Sequence, residues 1–131
     1  MQTNQAMSIG TRVVQVCLFL ASAIAIFGGS LQMYLGEPTV SARLDNIHRF
    51  MAGIYLSMGL ICFWAAYTIR IQRNLVYLIA LGIFIAALGR VYSISIVGLP
   101  EPPELWIGYL TPEILLPIIL VIAQSKRKEI Q

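Results

Sequence analysis

The sequence predicts an all-α integral membrane protein, a four-helix bundle of up-down topology with both termini inside. Three observations carry that prediction. Hydrophobic residues make up 58% of the chain and charged residues only 11%, against roughly 25% charged in a soluble domain. Four long apolar stretches each suffice to cross a bilayer. The cations between those stretches collect on one side.

The stretches run from about Val13 to Leu35, Ile47 to Ile69, Leu75 to Val97 and Leu105 to Ala123. Each approaches the ~20 residues that cover ~30 Å of hydrocarbon at ~1.5 Å per residue. No sustained period-2 alternation favours strands. In lipid, moreover, backbone polar groups must be satisfied within the segment, which a helix achieves. The predicted helices are therefore 12–35, 46–69, 74–97 and 104–124, forming one transmembrane domain over 12–124. A mobile cytoplasmic N-terminus (1–11) precedes it and a basic cytoplasmic tail (125–131) follows. Asp45 or Asn46 is expected to cap the second helix. Arg70 to Asn74 makes a tight turn, and Gly98 to Pro103 breaks the chain before the fourth helix. Short connectors make successive helices antiparallel neighbours.

The first stretch has features of a secretory signal: Arg12 precedes an apolar run, and Ala21-Ser22-Ala23 resembles a cleavage site. Because the apolarity continues to Leu35, we read it as a spanning helix.

Orientation follows from the positive-inside rule. Arg12, Arg70, Arg73, Lys126, Arg127 and Lys128 fall on one side. Arg43 stands on the other, with Glu37, Asp45, Glu101 and Glu104. The expected location is the bacterial inner (cytoplasmic) membrane. The net charge of +3 is thereby explained as topology, and no nucleic-acid partner is expected. Lys126-Arg127-Lys128 can also touch anionic headgroups.

Ionised groups within an apolar segment need partners. Arg90 and Glu113, on the third and fourth helices, lie nearly level in the outer half, and Arg49, on the second, lies somewhat shallower; neighbouring antiparallel helices could bring all three together. Glu113 can neutralise one arginine and Asp45 the other. Should Asp45 face water, the spare cation would suit an anionic headgroup or a carboxylate. Small-residue stripes suggest the packed faces: Ala21, Ala25 and Gly29; Arg49, Gly53 and Ser57; Gly82, Ala86, Arg90 and Ser93. The candidate polar cluster is thus Arg49, Arg90, Glu113, His48, Asp45 and Ser93. A lone His48 is more simply an interfacial residue than a proton shuttle, and Asp45 with His48 is too few for a metal site. Pro112 and Pro117 can kink the fourth helix near Glu113. Trp64, Tyr67, Tyr92, Trp106 and Tyr109 fit an interfacial aromatic belt. Cys17 and Cys62 lie in apolar stretches and act as small hydrophobes.

The segments His48-Arg49-Phe50-Met51-Ala52-Gly53-Ile54-Tyr55, Gly89-Arg90-Val91-Tyr92-Ser93 and Gly98-Leu99-Pro100, with the late Glu113, carry a resemblance. The chain resembles the uncharacterised bacterial membrane family known as domain of unknown function 4345 over nearly its whole length. The resemblance implies a four-helix bundle with Arg49, Arg90 and Glu113 as family positions, and it implies no activity. The architecture is also loosely similar to that of DoxX-like membrane proteins.

No H-E-x-x-H, G-x-S-x-G, G-x-G-x-x-G or P-loop occurs, so catalysis ranks last and no cofactor is expected. The leading expectation is a non-catalytic accessory, assembly or scaffold subunit, in contact with lipids and with a membrane-protein partner or further copies of itself. The alternative is a protein that binds or transports a small molecule, lipid or proton through Arg49, Arg90 and Glu113.

Overall fold

The computed structural model describes residues 7–127. Among them are four helices: α1 (Ile9–Leu35), α2 (Ala42–Tyr67), α3 (Asn74–Val97) and α4 (Pro103–Ser125). All four are long enough and apolar enough to cross a membrane.

Capping chemistry shifts two starts from the expected positions. α1 begins at Ile9, not Arg12, because Ser8 caps it. The Ser8 hydroxyl accepts from Thr11 N at 3.2 Å and the Ser8 carbonyl from Arg12 N at 3.0 Å. Residues 9–11, expected in a mobile terminus, are therefore helical, while residues 1–6 lie outside the described part. α2 begins at Ala42, not 46. Ser41, with extended backbone, is its N-cap and accepts from Leu44 N at 3.2 Å. This leaves Asp45 and Asn46 inside the helix, so neither is the cap. Each start satisfies N–H groups that the first turn otherwise leaves without partners.

The helix ends follow the same logic. α1 stops at Gly36, whose φ of 59° is left-handed and whose N–H returns to Gln32 O at 2.8 Å. Gly98, φ 85°, ends α3 with its N–H on Ile94 O at 3.0 Å. Glycine tolerates these conformations because it lacks a Cβ. α2 ends at Tyr67, before the expected 69, where Thr68 turns both its N–H and its hydroxyl onto Trp64 O. Proline at the first position of α4 costs no hydrogen bond. Pro112 and Pro117 both sit within continuous helix.

The chain forms two compact units. One is Leu18–Thr68; the other joins the start of α1, through Cys17, to the chain from Ile69 onward.

Within Leu18–Thr68, α1 and α2 run antiparallel with their backbones nearly touching. A Cβ built on Gly29 would stand 2.7 Å from Leu56 N, and one on Gly59 would stand 2.8 Å from Ile26 N. Such closeness maximises dispersion contacts between the two helices. Ala21, Ala25 and Gly29 are buried as expected on α1. The α2 stripe holds at Arg49, which bonds Met33 O, and at Gly53, where a Cβ would lie 3.2 Å from Met33 Cε, and is corrected at Ser57. Ala52, Leu56 and Gly59 meet α1, whereas Ser57 is exposed and bonds its own Ile54 O.

In the other unit, α3 and α4 are antiparallel. Buried or half-buried positions recur at Val76, Ala80, Ile83, Ala87 and Arg90 on α3, and at Trp106, Leu110, Glu113, Pro117, Leu120 and Gln124 on α4. Steps alternating between three and four residues are those of helices crossing at a shallow angle. The expected α3 stripe is partly wrong: Arg90 lies on the packed face, but Ala86 and Ser93 are exposed. The first turn of α1 joins this unit through Gly10, where a Cβ would lie 3.1 Å from Ala123 O.

Candidate functional site

Arg90 is seven residues short of the end of α3 and Glu113 ten residues into α4, so antiparallel packing places them side by side. Arg90 Nε donates to Glu113 Oε2 at 2.7 Å. The Glu113 side chain is 12% exposed and that of Arg90 34%. The short contact marks a charge-assisted hydrogen bond, but a single one. The Nη1 and Nη2 groups of Arg90 have no acceptor among the described residues.

Two rings flank the guanidinium. Arg90 Cζ is 5.9 Å from the centre of Trp106 and 5.7 Å from that of Tyr109, within cation–π range. The rings meet edge to face at 6.0 Å. Trp106 Nε1 is buried without a hydrogen-bond partner. Sequence reasoning placed Trp106 and Tyr109 in an interfacial belt and missed this role. The signal was present: Trp106, Tyr109 and Glu113 follow at steps of three and four, which puts them on one helix face.

Arg49 sits in the other unit with partners of its own. Its Nε donates to Asp45 Oδ2 at 2.9 Å, one turn back on α2. Its Nη1 donates to the carbonyls of Met33 at 2.5 Å and Tyr34 at 3.3 Å. Those carbonyls belong to the last turn of α1, where intrahelical donors run out. Asp45 does not point away into water: its Oδ1 accepts Glu37 N–H at 2.7 Å. Arg49 thus closes the C-terminus of α1, and Asp45 fixes both the guanidinium and the connector. A Cβ on Gly36 would strike the Asp45 carboxylate and the Arg49 guanidinium, so this corner needs glycine for space as well as for φ.

The hydrogen bonds therefore form two local pairs, Arg49–Asp45 and Arg90–Glu113. His48 Nδ1 lies 3.9 Å from Glu37 Oε1 and has no hydrogen-bond partner. Ser93 is exposed. Among the described residues no group of three His, Cys, Asp or Glu could hold a metal ion.

A third polar knot joins the α2–α3 connector to the end of α4. Arg127 donates through Nη2 to Ile69 O at 2.8 Å, and through Nη1 to Gln72 O at 2.9 Å and Gln124 Oε1 at 2.8 Å. Gln124 Nε2 donates to Arg73 O at 3.1 Å. Burial first, and then the charge of Arg73, pull the Arg127 pKa below its ordinary value. An arginine still remains charged. Arg127, in the basic run 126–128, is thus tied into the fold; Lys128 lies outside the described residues.

Fold and sites together define a small all-α protein whose four helices are fit to cross a bilayer and in which Arg49 and Arg90 are each paired with a carboxylate. The chain belongs to the family described as domain of unknown function (DUF4345), whose model matches residues 7–124. No curated protein and no solved structure matches the chain.

Proposed function

We propose that this is a non-catalytic four-pass protein of the bacterial cytoplasmic membrane, with both termini and the α2–α3 connector inside, acting as an accessory, assembly or scaffold subunit. One observation carries the reading. Arg49 and Arg90 each join helix to helix, Arg49 to the terminal carbonyls of α1 and Arg90 to Glu113 of α4. Charges so placed fix register and topology, and no nucleophile–base pair accompanies them. Two experiments test the proposal. A single cysteine replacing Thr39 should label from outside the cell, and one replacing Arg70 only from inside, in a background lacking Cys17 and Cys62. Crosslinking in native membranes should then capture a partner or a second copy; a strict monomer with no partner would overturn the subunit role.

A second reading is favoured by the unused donors of Arg90. In it the protein binds or transports a small molecule, lipid or proton at the Arg90–Glu113 pair. If Glu113→Gln left binding and proton flux unchanged in a normally folded protein, transport through this pair would be excluded.

A further inference from the structure

A guanidinium has two edges that can grip an oxyanion: the side edge, Nε with one Nη, and the end edge, Nη1 with Nη2. Glu113 touches only Nε of Arg90. Nη1 and Nη2 carry four further N–H donors, two of them along the end edge, with no acceptor among the described residues. A guanidinium cannot escape by losing its proton, and with the Arg90 side chain 34% exposed its unmatched donors are accessible to a ligand. A second donor nearby is also unmatched, the buried Nε1 of Trp106, on a ring 5.9 Å from Arg90 Cζ. The site therefore holds more donors than acceptors, the Glu113 carboxylate being the anion that faces them.

Its walls narrow the choice further. Trp106 lies three residues and Tyr109 six residues into α4, roughly 5 Å and 9 Å from the helix start at 1.5 Å per residue. The rings thus stand between that end of α4 and the Glu113 carboxylate. A group reaching the guanidinium from that end passes two aromatic faces, which suits an oxygen-bearing head on an apolar body or a small bare anion.

We infer that the end edge of Arg90, walled by Trp106 and Tyr109, is the seat of an oxyanion, a carboxylate or phosphate group bound by Nη1 and Nη2 while Glu113 holds Nε. This rests on the binding reading above and supplies its ligand class. Glu113 balances the charge of the arginine and also repels the incoming anion, so it sets the affinity low enough for exchange.

The chain has two tryptophans, so a Trp64→Phe background makes Trp106 the sole indole reporter. Detergent-purified protein is titrated with inorganic phosphate, with oleate, and with oleyl alcohol, which has the same apolar body as oleate without the oxyanion. An oxyanion should shift the Trp106 emission while oleyl alcohol should not. A response to phosphate assigns a soluble anion, and a response to oleate alone assigns an amphiphile. Arg90→Gln should abolish the response, and Arg90→Lys, which keeps charge but loses the fork, should weaken it about ten-fold. Glu113→Gln removes the competing charge and should tighten binding about ten-fold. Helical circular dichroism confirms that each variant is folded. Equal responses to oleate and oleyl alcohol overturn the proposal, as does wild-type affinity in both folded Arg90 variants or loss of binding in folded Glu113→Gln. If wild type binds but the Arg90 variants bind equally, this site falls and the binding reading survives. If wild type binds neither oxyanion, both fall.

Discussion

Arg90 Nε and Glu113 Oε2, 2.7 Å apart, join α3 to α4 by one charge-assisted hydrogen bond. Removing either partner leaves the other charged and partly buried. A hydrogen bond to a charged group is worth about 1.5–3 kcal/mol. Glu113→Gln and Arg90→Gln should each lose up to that amount, discounted because Arg90 is about one-third exposed. The double variant should lose less than the sum of the two, since it leaves no orphan charge. Denaturant unfolding in detergent micelles checks the cycle. Additive losses would show that the two side chains are not coupled.

Gly29 and Gly89 offer a contrast between two helical glycines. A Cβ at Gly29 meets Leu56 N at 2.7 Å, Ala52 O at 3.0 Å and Leu56 Cα at 3.0 Å. These are backbone atoms and cannot swing aside, so Gly29→Ala should cost about 1–3 kcal/mol through separation of α1 from α2. At Gly89 nothing lies within 4 Å of the added methyl. There alanine should be neutral or should gain up to about 1 kcal/mol from helix propensity. Melting temperatures of the two variants should move in opposite directions or differ clearly; equal shifts would contradict the close approach of α1 and α2.

The spans were legible because length and apolarity alone announce them. A run such as Leu75 to Val97 is too long for a buried strand, so helix is the reading left. The packed faces were less legible. α3 is apolar all round, and a surface that meets lipid is as apolar as one that meets a helix, so polarity does not separate the sides. The small-residue stripe through Gly82, Ala86 and Ser93 was a natural reading, yet Ala80 and Ala87 are the buried alanines. Arg90 and Glu113 could be picked out because charge in an apolar run demands a partner. Arg49 was picked out for the same reason, but its task, closing α1 through Met33 O and Tyr34 O, depends on where α1 ends. The Ser8 and Ser41 caps were missed because the apolar period begins several residues after each. Arg127 was hidden in a basic run that reads as solvated.

Asp45 ties Arg49 to the connector, its two oxygens serving Arg49 Nε and Glu37 N. Asp45→Asn keeps an acceptor for only one of these and removes the counter-charge. The expected result is faster amide exchange at Glu37 and at the Gly36 turn, with α3 and α4 unaffected. Gly36→Ala should be harsher, since φ is 59° and the new methyl would strike both side chains. Hydrogen exchange read by mass spectrometry resolves the connector peptide. Unchanged protection in Asp45→Asn would show that the Asp45 link does not hold the turn.

Arg127 spans from α4 to the carbonyls of Ile69 and Gln72, and it is the described residue whose removal should free the α2–α3 connector most. Alanine there strips donors from both carbonyls, and Gln124 loses the partner of its Oε1. Lysine offers one ammonium in place of a fork and should rescue only part of the effect. Lys126, next along the chain, is exposed, and its replacement by alanine should change little. The connector contains Arg70 and Arg73, so trypsin reads its opening directly. With a net loss of about 1.4 kcal/mol, within the range for hydrogen bonds made by a charged group, the opened fraction rises about ten-fold, and cleavage follows that fraction when closing is fast. The expected order of cleavage rate at the connector is Arg127→Ala, then Arg127→Lys, then wild type and Lys126→Ala together. Equal rates in Arg127→Ala and wild type would mean that the connector is held by its own turn, without the arginine.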